Sequence, residues 1–229
     1  MTPTRLLYTM LALFFAATCA SSHGLASEQA GSGLRVERAV AADSAALDNA
    51  YVRVMHNSSS YGPAHSKGFG TRVIVALTNV KIQSGKGTHH LERGQVAAFK
   101  RDESYDPPTG EFFEVAFKLD HPPVKGPEEW IEPIKNIIVY EDEQIRIFEE
   151  RLEGGDERPL HSHAQRVVVR LKEVQLTDPR TNPTPRPGTG IQVPNTVRFA
   201  EPMTHVVRNV SKGPLFNVVI EFKVPHPAK

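Results

Sequence analysis

Gly155-Asp156-Glu157-Arg158-Pro159-Leu160-His161-Ser162-His163 is the stretch that decides the fold, and His205 and Asn209 answer it far downstream. A glycine turn, two histidines one residue apart and a third histidine from a remote strand form a metal-site layout. Alternate side chains of a strand point to one face, so His161 and His163 can converge on one ion. Carrying that parity forward puts Val167, Val169 and Leu171 with the histidines, and Arg170 and Lys172 on the other face, turned to water. Around the third histidine, His205, Val207 and Asn209 share a face and Arg208 takes the other. A last strand alternates Val218, Ile220 and Phe222 against Glu221 and Lys223.

These residues resemble the cupin family, small β-barrels with two short motifs. Gly155 stands five residues before His161, and His163 follows with the spacing of the first motif. The motif's glutamate falls on Val167 or Val168, so that ligand is missing. Pro202, His205 and Asn209 fit the second motif, with Asn195 or Thr196 where its glycine is expected. The resemblance implies an all-β protein built of cupin-type barrels.

Similarity within the chain implies two of them in tandem. Residues 48–54 resemble 141–147; 62–67 followed by 72–77 resemble 158–163 followed by 166–171; and 109–113 resemble 212–216. The expected organisation is a first barrel over 34–120, a proline-rich connector over 121–127 and a second barrel over 128–225. One helical turn is expected near Ser44 to Asn49, and Asp178 to Gly190 reads as an exposed hairpin connection. His65 matches His161, Lys67 matches His163, and counting from Gly94 places Ser104 opposite His205. The first copy keeps one histidine of the set and is expected to be structural.

Residues 1–26 read as a signal segment, with Arg5 ahead of an apolar run over 6–17 that is too short to cross a membrane. The expected location is the periplasm or the medium after cleavage before Ser27, with lipid anchoring at Cys19 as the alternative. Cys19 is the only cysteine, so thiolate ligands, cysteine nucleophiles and disulfides are excluded from the mature chain. Losing Arg5 brings 27 basic residues to 26, equal to the 26 acidic ones. No basic excess remains for nucleic acid, and no later stretch is long and apolar enough for an integral span.

The expected centre is therefore one divalent ion on His161, His163 and His205, with Gln165 bonding a metal-bound water and Asn209 orienting a histidine or capping its strand. Neutral imidazoles suit Fe(II), Zn(II), Mn(II), Ni(II) or Cu(II). Some cupin dioxygenases use three histidines without the glutamate. That resemblance implies Fe(II), open coordination positions and a small organic substrate. The alternative is a binding or sensing module that holds a small molecule without metal. The oligomeric state is left open.

Overall fold

The computed structural model describes residues 45–57, 68–134, 136–186 and 190–224. The expected signal segment with Arg5 and Cys19, and His65 and Lys67 of the first copy, lie outside the described residues. The described residues all fall within one compact unit. The described residues form sixteen strands and no helix. None therefore crosses a membrane as a long apolar helix.

The first half contains β1 (Leu47–Asp48), β2 (Val52–His56), β3 (Phe69–Ala76), β4 (Val80–Ser84), β5 (Gly87–Leu91), β6 (Val96–Phe99) and β7 (Phe112–Lys118). The second contains β8 (Ile137–Glu141), β9 (Ile145–Leu152), β10 (Glu157–His163), β11 (Arg166–Arg170), β12 (Val174–Thr177), β13 (Ile191–Gln192), β14 (Thr196–Ala200), β15 (Met203–Asn209) and β16 (Leu215–Phe222). One five-stranded sheet has the order β1-β2-β7-β3-β6, and another the order β8-β9-β16-β11-β14. The two orders correspond strand for strand. Each sheet faces a smaller one, β4-β5 in the first half and β10-β15-β12-β13 in the second. The chain is thus two tandem β-barrels. β1 stands where the helical turn was expected, and the Asp178 loop does join a hairpin, since β12 pairs antiparallel with β13.

The two barrels share a core. Val54, Val73, Val75, Val115 and Phe117 of the first meet Ile147, Val167, Val169, Ile220 and Phe222 of the second in one buried cluster. The large sheets therefore pack back to back, and their inner strands are covered on both faces. Such strands read as near-continuous apolar runs, and every residue of β3 is buried. Connector residue Lys125 exchanges backbone hydrogen bonds with Gln165, its N–H going to the Gln165 side chain.

Two sequence expectations are corrected here. Val167 and Val169 do not share a face with the histidines; they belong to the inter-barrel core. After His163 the chain leaves the small sheet and enters the large one through Ala164 and Gln165, and this step resets the parity. Arg170, read as part of a wet face, is partly buried, and Arg166 on the same side of the strand is 3% exposed. The third repeat match is also two residues out of register. Val52 pairs with Phe117 and Ile145 with Phe222, so the ladders set Phe112 equivalent to Asn217 rather than Leu215. The turn equivalence of Gly94 and Asn195 holds. Their N–H groups donate to Ala76 O and Arg170 O, each at 2.8 Å, and both have positive φ, 87° and 55°. Asn is among the few residues that enter this region readily, so Asn195 supplies the turn that the motif's glycine would.

Candidate metal centre

β10 and β15 are antiparallel neighbours, and His161 lies directly across from His205. Opposed residues share a face, so these two rings meet. A bulge between Arg158 and His161 puts one extra residue into β10. Pro159 sits inside it, where a missing N–H breaks no ladder bond. The bulge brings Arg158 onto the same face as His161, although their sequence parity differs.

The ring centroids are 4.6 Å apart for His161 and His205, 4.8 Å for His161 and His163, and 5.4 Å for His163 and His205. One nitrogen from each ring lies within 4.8 Å of the others. Ligands about 2.1 Å from one ion lie at most about 4.2 Å apart, so binding draws the rings together by about 0.6 Å. The nitrogens thus stand slightly more open than in a filled site.

His161 is oriented by a hydrogen bond and His163 by a ring stack. His161 Nδ1 is 2.7 Å from the Pro159 carbonyl, so it carries the proton and leaves Nε2 as a lone pair. That Nε2 and the Nε2 of His205 are buried with no hydrogen-bond partner. His163 stacks on Phe148 at 6.0 Å, and its Nδ1, 3.4 Å from Glu221 Oε1, is likewise buried with no hydrogen-bond partner. Burial pushes all three imidazole pKa values down, His163 well down and His205 to about 2. Repulsion from Arg166 adds to this at His163, and from the other two histidines at His205. The rings are neutral near pH 7, the state that binds metal. Orphaned, neutral, convergent nitrogens in a buried setting fit a divalent ion.

The remaining expected residues serve the backbone. The Gln165 amide accepts from Lys125 N at 2.9 Å and donates to Glu201 at 3.0 Å, so it fastens the connector rather than facing the rings. Asn209 donates to the Leu152 and Gly213 carbonyls and accepts from Ser211 N. It caps the end of its strand and orients no histidine.

The sequence reading missed the barrel's charged lining. Glu150, His163, Arg166, Arg198, His205 and Asn217 border an interior cavity of about 30 Å³. Glu150 is 8% exposed. It contacts Arg158 at 3.4 Å and accepts from Asn217 at 3.0 Å. Burial alone would raise its pKa, but Arg158 and His163 outweigh this and hold the carboxyl below its usual range. Glu221 accepts from Ala164 N at 2.5 Å; burial raises it to about 7 against the opposing pull of that N–H and of Arg166. The signal for these residues was present in the pairing of polar residues across β9, β16 and β11, but only a strand covered on both faces makes it readable.

No protein-family model and no curated protein matches the sequence. Several solved structures are similar. A cupin domain protein from Bordetella pertussis Tohama I shares 23% identity over 44% of this chain and 98% of its own, with a TM-score of 0.32. A cupin 2 conserved barrel domain protein from Leptotrichia buccalis shares 12% over 77% of this chain and 86% of its own, at 0.46. Oxalate decarboxylase from Bacillus subtilis, described with Mn(II) centres, shares 14% over 77% and 69%, at 0.41. Similarity at this level bears on no residue or ligand of this chain, whose fold rests on its own sheets. With its repeated strand order and its His-x-His strand facing a third histidine, the chain resembles the cupin superfamily as two tandem barrels.

Proposed function

We propose that the second barrel is a divalent-metal centre on His161, His163 and His205, and that with Fe(II) it promotes oxidation of a small organic substrate by O₂. The observation that carries this is the convergence of three ring nitrogens within 4.8 Å, two of them buried Nε2 atoms with no partner. Bound metal would supply Lewis acidity and, for iron, electrons to O₂. Three protein ligands leave coordination positions open for water or substrate. The surrounding residues hold the rings: Pro159 fixes the tautomer of His161, while Phe148 and Glu221 flank His163. The sequence pattern of residues 1–26 supports export of the mature chain, in which case metal would be loaded in the periplasm or medium.

Metal analysis of protein purified from the exported fraction tests the centre. About one ion per chain is expected, with loss in His161→Ala. Oxygen uptake by the Fe(II)-loaded protein, screened against small organic compounds, tests the activity. Metal binding without uptake leaves a binding module, and absence of metal in the wild type overturns the reading.

A further inference from the structure

The second barrel holds more positive charge than its own carboxylates answer. β11 turns Arg166, Val168 and Arg170 toward the interior, and Arg198 on β14 lies across the ladder from Val168, between the two arginines. Arg166 and Arg198 border the cavity together with His163 and His205. Among the described residues, Arg198 makes no hydrogen bond or ion pair, and Arg170 Nε is buried with no partner. Arg170 feels Arg198 as a like charge. The interior carboxylates are engaged elsewhere, Glu150 with Arg158 and Asn217, and Glu221 with Ala164 N. A divalent ion on the histidines would deepen the imbalance.

Like charges gathered at the rim of a barrel, with Arg166 buried, Arg170 partly buried and Arg198 exposed, are disfavoured unless an opposite charge meets them. The first barrel provides an internal control. Its ladders place Ala76 where Arg170 stands and Ala97 where Arg198 stands. Arg170 and Arg198 therefore accompany the histidines and are not a requirement of the fold, whereas Arg166 has a counterpart in Arg72.

We propose that the second barrel binds a small organic anion, its carboxylate held by Arg198 and Arg170 beside the histidine cluster. The proposal deepens the metal reading and rests on it only for the ion next to the anion. Guanidinium groups match a planar carboxylate with two parallel N–H donors. The cavity of about 30 Å³ equals the share of liquid volume of roughly one water. The carboxylate would therefore lie outside this small cavity, where Arg198 is exposed.

The test uses the full exported chain, metal-free and Zn(II)-loaded, titrated calorimetrically with acetate, acetamide and inorganic phosphate. Acetate should bind, and its neutral isostere acetamide should not. Arg198→Ala should weaken acetate by about tenfold or more, the loss of a charged hydrogen bond, with metal stoichiometry unchanged. Arg198→Lys, which keeps the charge and loses the fork, should fall between. Equal binding of acetate and acetamide, or undiminished acetate binding by Arg198→Ala, overturns the proposal. Phosphate binding tighter than acetate overturns the ligand class. Arginine-dependent acetate binding by a protein that takes up no metal supports the anion site and overturns the metal reading instead.

Discussion

Arg170 stands in the second barrel where Ala76 stands in the first, Arg198 where Ala97 stands, and Asn217 where Phe112 stands. The first interior is filled by Ile74, Ala76, Val80, Ile82, Phe99 and Phe112. The second sets Phe148, Val168 and Val219 and a separate cluster of Leu152, Val174, Val207 and Leu215 among its charges. One backbone plan therefore supports two kinds of interior. An apolar filling stabilises by burial, at about 25 cal/mol per Å² removed from water. A polar one gives up part of that term and must satisfy its charges, which is tolerable where a ligand completes the set. The outer faces of the large sheets, by contrast, are apolar in both copies, because each covers the other.

The shared core offers the strongest way to break this comparison. Phe117→Ala empties a position 2% exposed between the sheets, and should cost about 3–5 kcal/mol in urea unfolding. Probes in each barrel should report one transition. Two separated transitions would show that the barrels stand independently.

Next in size is the ionisable group kept in the apolar barrel. Burial raises the Glu114 carboxyl from 4.5 to about 7, a rise opposed in part by Tyr105 and Arg72. The folded chain then holds this proton more tightly than the unfolded chain does. The associated stability is complete below pH 4.5 and is lost as pH climbs through about 7. Glu114→Gln should remove that slope and raise stability at pH 8 by about 3 kcal/mol. A mutant with the wild-type pH profile would count against a buried, neutral Glu114.

The metal content sharpens the contrast further. One ion per chain is expected, and His205→Ala should lower affinity by more than about a hundredfold with the fold intact by circular dichroism. Two ions per chain would mean that the first barrel also binds. The smallest effect belongs to the turns. Asn195 carries a φ of 55°, and replacing it by Ala should cost about 1–2 kcal/mol of left-handed strain. A thermal melt unchanged by Asn195→Ala would show that this turn relaxes.

The histidines were legible because a period of two needs only neighbours in sequence. His205 was legible because its strand repeats the alternation. The arginines were not. Arg166 and Arg170 lie on the parity opposite to a valine run, which ordinarily marks a wet face, and only the back-to-back packing of two sheets makes valines the outer layer and arginines the inner one. The bulge at Pro159 hid Arg158 in the same way, by shifting parity within a single strand.

Arg93 shows what joining both copies in one chain permits. Its guanidinium donates to Leu77 O on its own side, and to Leu171 O and Asn195 Oδ1 on the other. Leu77 and Leu171 are equivalent positions, each following the last residue of a matched strand, so one side chain spans the internal twofold axis. Its own counterpart, one residue before Asn195, is Pro194, which has no charge to present. Two identical barrels meeting as separate chains would bring two arginines to that axis, and they would repel. A duplicated gene can alter one copy alone, so the clasp is a consequence of covalent asymmetry that a symmetric dimer could not reach.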